Sequence, residues 1–203
     1  MAYSNEDPNG PASRISRRAF VAAGAVGAAG LALAALRRSA AALPRESRAV
    51  TAPGEVLIAT FDAAGKRTGA AKVPKVVKTD AEWKQQLSPL AYSVTRHGDT
   101  ERAYSNVYEH NHEAGLYRCI CCDTALWSSV QKFDSGTGWP SYTQPIAKEN
   151  IVAITDSSFG MARTAISCAR CDGHQGHVFD DGPPPAGLRY CINGVALRFV
   201  KFA

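Results

Sequence analysis

Past its first fifty residues this chain has almost no net charge, and the overall +5 loses its simplest explanation. Residues 1–50 hold seven arginines against three acids, whereas residues 51–203 hold sixteen Lys or Arg against fifteen Asp or Glu. No basic stripe remains to track a phosphate backbone, which needs Lys and Arg clustered on one face, so nucleic acid is not an expected partner. A nucleotide-cradling loop is missing too. The glycine-rich stretch Phe133-Asp134-Ser135-Gly136-Thr137-Gly138-Trp139-Pro140-Ser141 lacks the Gly-Lys-Ser/Thr ending that holds phosphate. No internal repeat is visible beyond two short cysteine clips. With 203 residues and 45% hydrophobic content, the chain buries one proper core and is too short for two large domains.

The leader has its own logic. Ser16-Arg17-Arg18-Ala19-Phe20-Val21 opens eighteen uncharged residues, Ala19 to Leu36, of which nine are Ala and three Gly. Such a stretch is barely long enough to span a bilayer and only mildly hydrophobic. A twin arginine before a weak apolar region resembles a bacterial twin-arginine export signal, a route that moves folded proteins and reads the pair as an address. Residues 1–42 are therefore expected to be a leader, 43–54 a linker and 55–203 the catalytic domain, with the mature protein in the periplasm or cell envelope and touching the membrane only during export. An uncleaved membrane anchor is the alternative. Cleavage sites offer themselves after Ala34 and Ala42.

Within residues 55–203, Val56 to Phe61 reads as a strand, followed by the turn Asp62-Ala63-Ala64-Gly65 and a weaker second strand. Thr79-Asp80-Ala81-Glu82 is a capping-box pattern that opens a helix through Leu87. Ser88-Pro89 supplies the cap and first-turn proline of a second helix ending at Gly98. Beyond about residue 115 short strands and turns replace helical periodicity, with Ile166, Val178 and Phe179 in short apolar runs and Val195-Leu197-Phe199 in alternation. This half is expected to be antiparallel sheet with long loops.

Six cysteines divide unevenly. Cys119-Ile120-Cys121-Cys122 and Cys168-Ala169-Arg170-Cys171 are C-x-x-C clips, the spacing at which one knuckle of backbone points two sulfurs at one ion. Cys119, Cys122, Cys168 and Cys171 would fill a tetrahedral zinc and leave no open position, so the metal is structural and staples two stretches separated by forty-five residues. Two disulfides in an exported chain are the alternative. Cys121 lies between ligands, either able to swap into the site or a free thiol.

That leaves Cys191 for chemistry, unless it is merely a small buried hydrophobe. In a strand, Arg189 and Asn193 share its face; a guanidinium there favours thiolate over thiol. His174-Gln175-Gly176-His177 follows the second clip and offers imidazole for proton transfer, or further zinc ligands. His97, His110 and His112 have no partner pattern and are assigned to solvent. Trp139, followed by the φ-locked Pro140, is either a turn-associated core residue or an aromatic held in one orientation for a further role.

Together, Thr100-Glu101-Arg102, the two clips, the Phe133–Ser141 loop, Gly160-Met161-Ala162-Arg163-Thr164, Gly173-His174-Gln175-Gly176-His177-Val178-Phe179-Asp180-Asp181-Gly182-Pro183 and Gly187–Asn193 resemble the methionine sulfoxide reductase B family, in unbroken order over residues 76–200. The resemblance implies a mainly β domain of two antiparallel sheets with short N-terminal helices, stapled by a four-cysteine zinc site and acting on the R epimer of methionine sulfoxide. It implies that Cys191 is the nucleophile, with Arg189 and Asn193 its neighbours, that His174 and His177 handle the sulfoxide oxygen, and that Trp139 and Phe179 bind the substrate. Implied partners are oxidised proteins or peptides carrying methionine sulfoxide and a thioredoxin-like or other thiol reductant. Many members of the family carry a resolving cysteine where this chain has Thr137, so recycling by that route is excluded and an external thiol is expected, with Cys121 as the alternative. Gly194 and Val195 replace the commoner Ser and Ala, a change expected to loosen the site. A zinc-clipped interaction module and a thiol-based oxidant sensor are the rival functions.

Overall fold

The computed structural model describes residues 54–156 and 163–203. The expected leader, nearly all of the linker and Gly160-Met161-Ala162 lie outside them. Two strands, β1 (Glu55–Phe61) and β2 (Arg67–Pro74), form an antiparallel hairpin. Its turn is the one the sequence indicates: the Asp62 carboxylate accepts from Ala64 N and Lys66 N at 3.0 and 2.9 Å, and Gly65 takes φ 76°. An isolated two-stranded hairpin is marginal in water. Here the fully buried Asn150 side chain fastens it to the body, accepting from Ala59 N (2.7 Å) and donating to Ala59 O (3.1 Å) and Ala125 O (2.8 Å).

Both helices begin and end where their caps place them. In α1 (Asp80–Gln86) the Thr79 hydroxyl accepts from Glu82 N and the Glu82 carboxylate accepts from Thr79 N, a complete capping box. In α2 (Pro89–His97) Ser88 caps Ala91 N, Pro89 sits at the first position, and Gly98 closes the helix at φ 74°. Trp83, Leu87, Ala91 and Tyr92 from these helices pack into one apolar cluster with Tyr117, Trp127, Tyr142, Ile192 and other sheet residues. His97, His110 and His112 are exposed.

The rest is sheet. Three antiparallel strands, β3 (Gly115–Cys119), β4 (Ala125–Ser128) and β11 (Leu197–Lys201), run in the order β11-β3-β4. Six more, β5 (Lys132–Phe133), β6 (Ser141–Tyr142), β7 (Ile151–Asp156), β8 (Arg163–Cys168), β9 (His174–Phe179) and β10 (Arg189–Ile192), form an antiparallel sheet ordered β5-β6-β10-β9-β8-β7. Trp127 of the first stacks on Tyr142 of the second, centroids 5.0 Å apart, joining the two around the core. These are the two antiparallel sheets that the resemblance implied, and the N-terminal hairpin adds a third. One local expectation differs. The alternation beginning at Val195 becomes strand only at Leu197, because the Glu101 carboxylate accepts from Gly194 N (2.5 Å) and Val195 N (2.9 Å) and holds residues 194–196 in a 3-10 turn.

Candidate active site and metal centre

Strand register decides which side chains meet. Antiparallel pairing sets Cys191 of β10 opposite His177 of β9 on one side and Ser141 of β6 on the other, and His177 in turn opposite Ala165 of β8. Directly opposed residues point to the same face, so Ala165, His177, Cys191 and Ser141 form one row across the sheet. In the next row Arg189 lies opposite Phe179 and stacks on its ring, 4.6 Å from the centroid. Gly176 keeps this stretch of the sheet closed. It adopts φ 155°, and a Cβ there would run into the backbone carbonyl of Cys191.

A cleft of about 150 Å³ opens over that face, lined by Trp139, Phe179, His177, Cys191, Asn193 and Arg163 among others. The Phe133–Ser141 loop carries Trp139 to its rim, turning through Gly136 (φ 67°) and Gly138 (φ 86°). The indole Nε1 donates to Glu101 O at 3.1 Å, which fixes the ring. Asn193 is buried: its Oδ1 accepts from Glu101 N (3.0 Å) and its Nδ2 donates to Gln175 O (3.1 Å). Its amide therefore joins three segments distant in sequence. Glu101, burial of which pushes its carboxyl up while bonds from Val195 and Gly194 pull it down, is the hub of that junction.

The two histidines are placed differently. His177 faces the cleft, with its Nε2 2.9 Å from Asp156 Oδ2, whereas His174 is buried behind it, ring centroids 5.1 Å apart, and does not line the cleft. Arg189 is buried and also outside the lining. Its Nε and Nη2 donate to both Asp181 oxygens, at 2.9 and 2.8 Å.

As expected, Arg189 favours the Cys191 thiolate, but it does not decide the ionisation. Burial of the thiol is the largest influence and pushes it above the ordinary thiol value. Attraction from Arg189 and hydrogen bonds from Thr137 and Arg189 pull the other way, and Asp181 adds a push upward. Desolvation outweighs these attractions, and the net direction is upward.

Gly194 also departs from expectation. The space a side chain would occupy there is filled by Asn106, whose Oδ1 accepts from Tyr108 N at 3.0 Å. The missing side chain is compensated, and the turn next to Cys191 is packed.

The two clips converge. Cys119, Cys122, Cys168 and Cys171 bring their four sulfurs within 4.8 Å of one another, with Cys119–Cys171 at 3.6 Å and Cys122–Cys168 at 3.5 Å. A tetrahedral ion with metal–sulfur bonds of about 2.3 Å needs sulfur–sulfur edges of about 3.8 Å, so the cage is close to the right size. All six cysteines are free, and the disulfide alternative has no place in this arrangement. Both clips fold alike: Asp123 N donates to Cys119 O and Asp172 N to Cys168 O, each at 2.9 Å, and each aspartate sits at positive φ, 62° and 57°. Cys121 is buried and outside the four-sulfur set. No histidine belongs to the set.

Sequence reading overlooked Asp156 and Asn106, and gave Arg163 and Glu101 no role. Glu101 and Asn106 act across about ninety positions of sequence through a few hydrogen bonds and contacts, which no local pattern records. Asp156 ends a mostly exposed strand and shows its partner only once register is known.

Residues 87–201 match the family model described as SelR domain. The peptide methionine sulfoxide reductase MsrB of Thioalkalivibrio sulfidiphilus is 55% identical over 121 residues, 60% of this chain and 88% of that protein. The protein of the same description from Herminiimonas arsenicoxydans is 54% identical over 125 residues, covering 62% and 91%. That from Pseudomonas syringae pv. syringae is 52% identical over 126 residues, covering 62% and 96%.

Proposed function

The chain belongs to the SelR domain family, and from that premise we propose that it reduces methionine sulfoxide to methionine with Cys191 as nucleophile. The observation that carries the reading is one constellation: a thiol and an imidazole opposed on adjacent strands, under a rim of Trp139 and Phe179, in a cleft the size of a small side chain. The Cys191 thiolate attacks the sulfoxide sulfur, the S–O bond breaks, and the departing oxygen takes up a proton as it transfers to Cys191. Sulfoxide sulfur is reduced by two electrons and the cysteine is oxidised by two, to sulfenic acid. Two equivalents of thiol then restore Cys191, releasing water and a disulfide.

His177 faces this chemistry and is assigned proton delivery. His174 supports it from behind. Trp139 and Phe179 form the apolar walls that hold the substrate methyl, and Asn193 fixes the strand end. Arg189 lowers the cost of ionising Cys191 without overcoming its burial. A zinc ion held by Cys119, Cys122, Cys168 and Cys171 supplies structure when bound and has no open position for chemistry. The substrate is the R epimer, carried on oxidised proteins or peptides, and the reductant is an external thiol, since Thr137 offers no second sulfur. Separate R and S epimers, offered with a chemical dithiol, test this: turnover of R alone is expected. Equal rates on both, or none on either, would reject it.

Export through the twin-arginine route is part of the same proposal and rests on Arg17, Arg18 and the Ala-rich run after them. Among the described residues no helix is long and apolar enough to cross a membrane. Changing Arg17 and Arg18 together to Lys is expected to leave the protein in the cytoplasm, read by fractionation of the producing cells. Undiminished arrival in the envelope would remove the signal assignment.

A further inference from the structure

We propose that Asp156 is a positioning residue for His177, acting through a gap left by Ala165. The inference rests on the sulfoxide reductase reading above and goes beyond it.

Asp156 ends β7 and His177 lies on β9, with β8 between them, so their strands are separated by about 9–10 Å. Two side chains that far apart across a sheet meet only if the intervening strand leaves room. It does: Ala165 of β8 lies opposite Ile154 of β7 on one side and His177 of β9 on the other. Ile154, Ala165 and His177 therefore share a face, and Asp156, two residues beyond Ile154, shares it too. Over the single methyl of buried Ala165 the carboxylate and the imidazole close to 2.9 Å.

The carboxylate has an anchor. Arg163 is the register partner of Asp156, and its Nη2 donates to the same oxygen, Oδ2, at 3.2 Å. Arg163 also lines the cleft. The contact thus runs from the mouth of the cleft, through the carboxylate, to the ring that faces Cys191. Because a carboxylate only accepts, the proton on this contact belongs to His177 Nε2. That sets the tautomer of the neutral ring and orients it, the service a buried acid performs for a histidine elsewhere in acid–base catalysis.

Three single variants, one double variant and two readouts decide the matter. Asp156→Ala is expected to lower kcat by about 100-fold, the usual consequence of losing alignment by about an ångström, with KM nearly unchanged. Asp156→Asn keeps an acceptor oxygen and should recover much of that loss. Ala165→Leu fills the gap and should reproduce the Asp156→Ala defect, the double variant being no worse than either single one, because both break the same contact.

The second readout needs no turnover. Nitrogen NMR of labelled histidine should show neutral His177 as the Nε2–H tautomer in the wild type and in Asp156→Asn, and as a mixture in Asp156→Ala. A folded Asp156→Ala protein with wild-type kcat, or with His177 still locked in one tautomer, overturns the proposal. Should the wild type fail to reduce either epimer, the sulfoxide reading and this role fall together. An active wild type indifferent to Asp156 removes this role alone.

Discussion

Replacing Cys191 by Ser is expected to abolish turnover of the R epimer while leaving fold and metal content unchanged. The exchange is nearly isosteric, and the surroundings of residue 191 are set by backbone: β9 and β6 flank it, and Gly176 lies beneath its carbonyl. A serine hydroxyl at this place has no base to ionise it fully and a far weaker affinity for sulfur, so no detectable rate should survive. One equivalent of sulfoxide should leave a sulfenic acid on wild-type Cys191, trapped by a dimedone-type reagent, and nothing on the variant.

The electrostatics add a direction. Burial raises the thiol above its ordinary value, so alkylation of Cys191 in the free enzyme should keep rising with pH beyond the range in which an exposed cysteine has already ionised. Residual turnover in Cys191→Ser would end the assignment. A Cys121–Cys191 disulfide in the peptide map would leave the nucleophile standing and overturn recycling by an external thiol.

Much of this was legible because local rules sufficed. Thr79–Glu82, Ser88-Pro89 and Gly98 name the ends of two helices by hydrogen bonds made within a few residues, and the structure makes those bonds. The C-x-x-C spacing likewise contains its own geometry, since each knuckle closes on itself before the two halves meet.

What resisted reading is what depends on register. Arg189, Cys191 and Asn193 look equivalent at alternate positions, yet Arg189 turns to Asp181, Cys191 stays at the cleft and Asn193 is consumed by Glu101 and Gln175. Net ionisation of the thiol also escaped, because a nearby arginine is visible in sequence and the burial that outweighs it is not. His174 and His177 sit three residues apart, and only the fold shows that one lines the cleft and the other packs behind it.

Cys168→Ser should cost the protein its metal and its fold together. Cys168 is buried at the end of β8, 3.5 Å from Cys122 of the other clip, and the backbone beside it bonds to Gly173 and Asn150, the residue that also fastens the N-terminal hairpin. Structural zinc in a four-ligand thiolate site is worth about 10–16 kcal/mol of apparent binding energy. A domain of this kind is stable by only about 5–15 kcal/mol in all. Losing most of the first is comparable to the second, so the variant is expected to lack zinc by elemental analysis and to show no cooperative thermal transition. Wild-type protein should carry about one zinc per chain and lose its transition on treatment with a strong chelator. Cys121 provides the sharper control. It lies one residue from Cys122 and is the spare sulfur nearest the cage, so any metal retained by Cys168→Ser should vanish in the Cys121→Ser, Cys168→Ser pair. A metal-free Cys168→Ser protein that unfolds at the wild-type temperature and still reduces sulfoxide would show that the four sulfurs hold no structural ion.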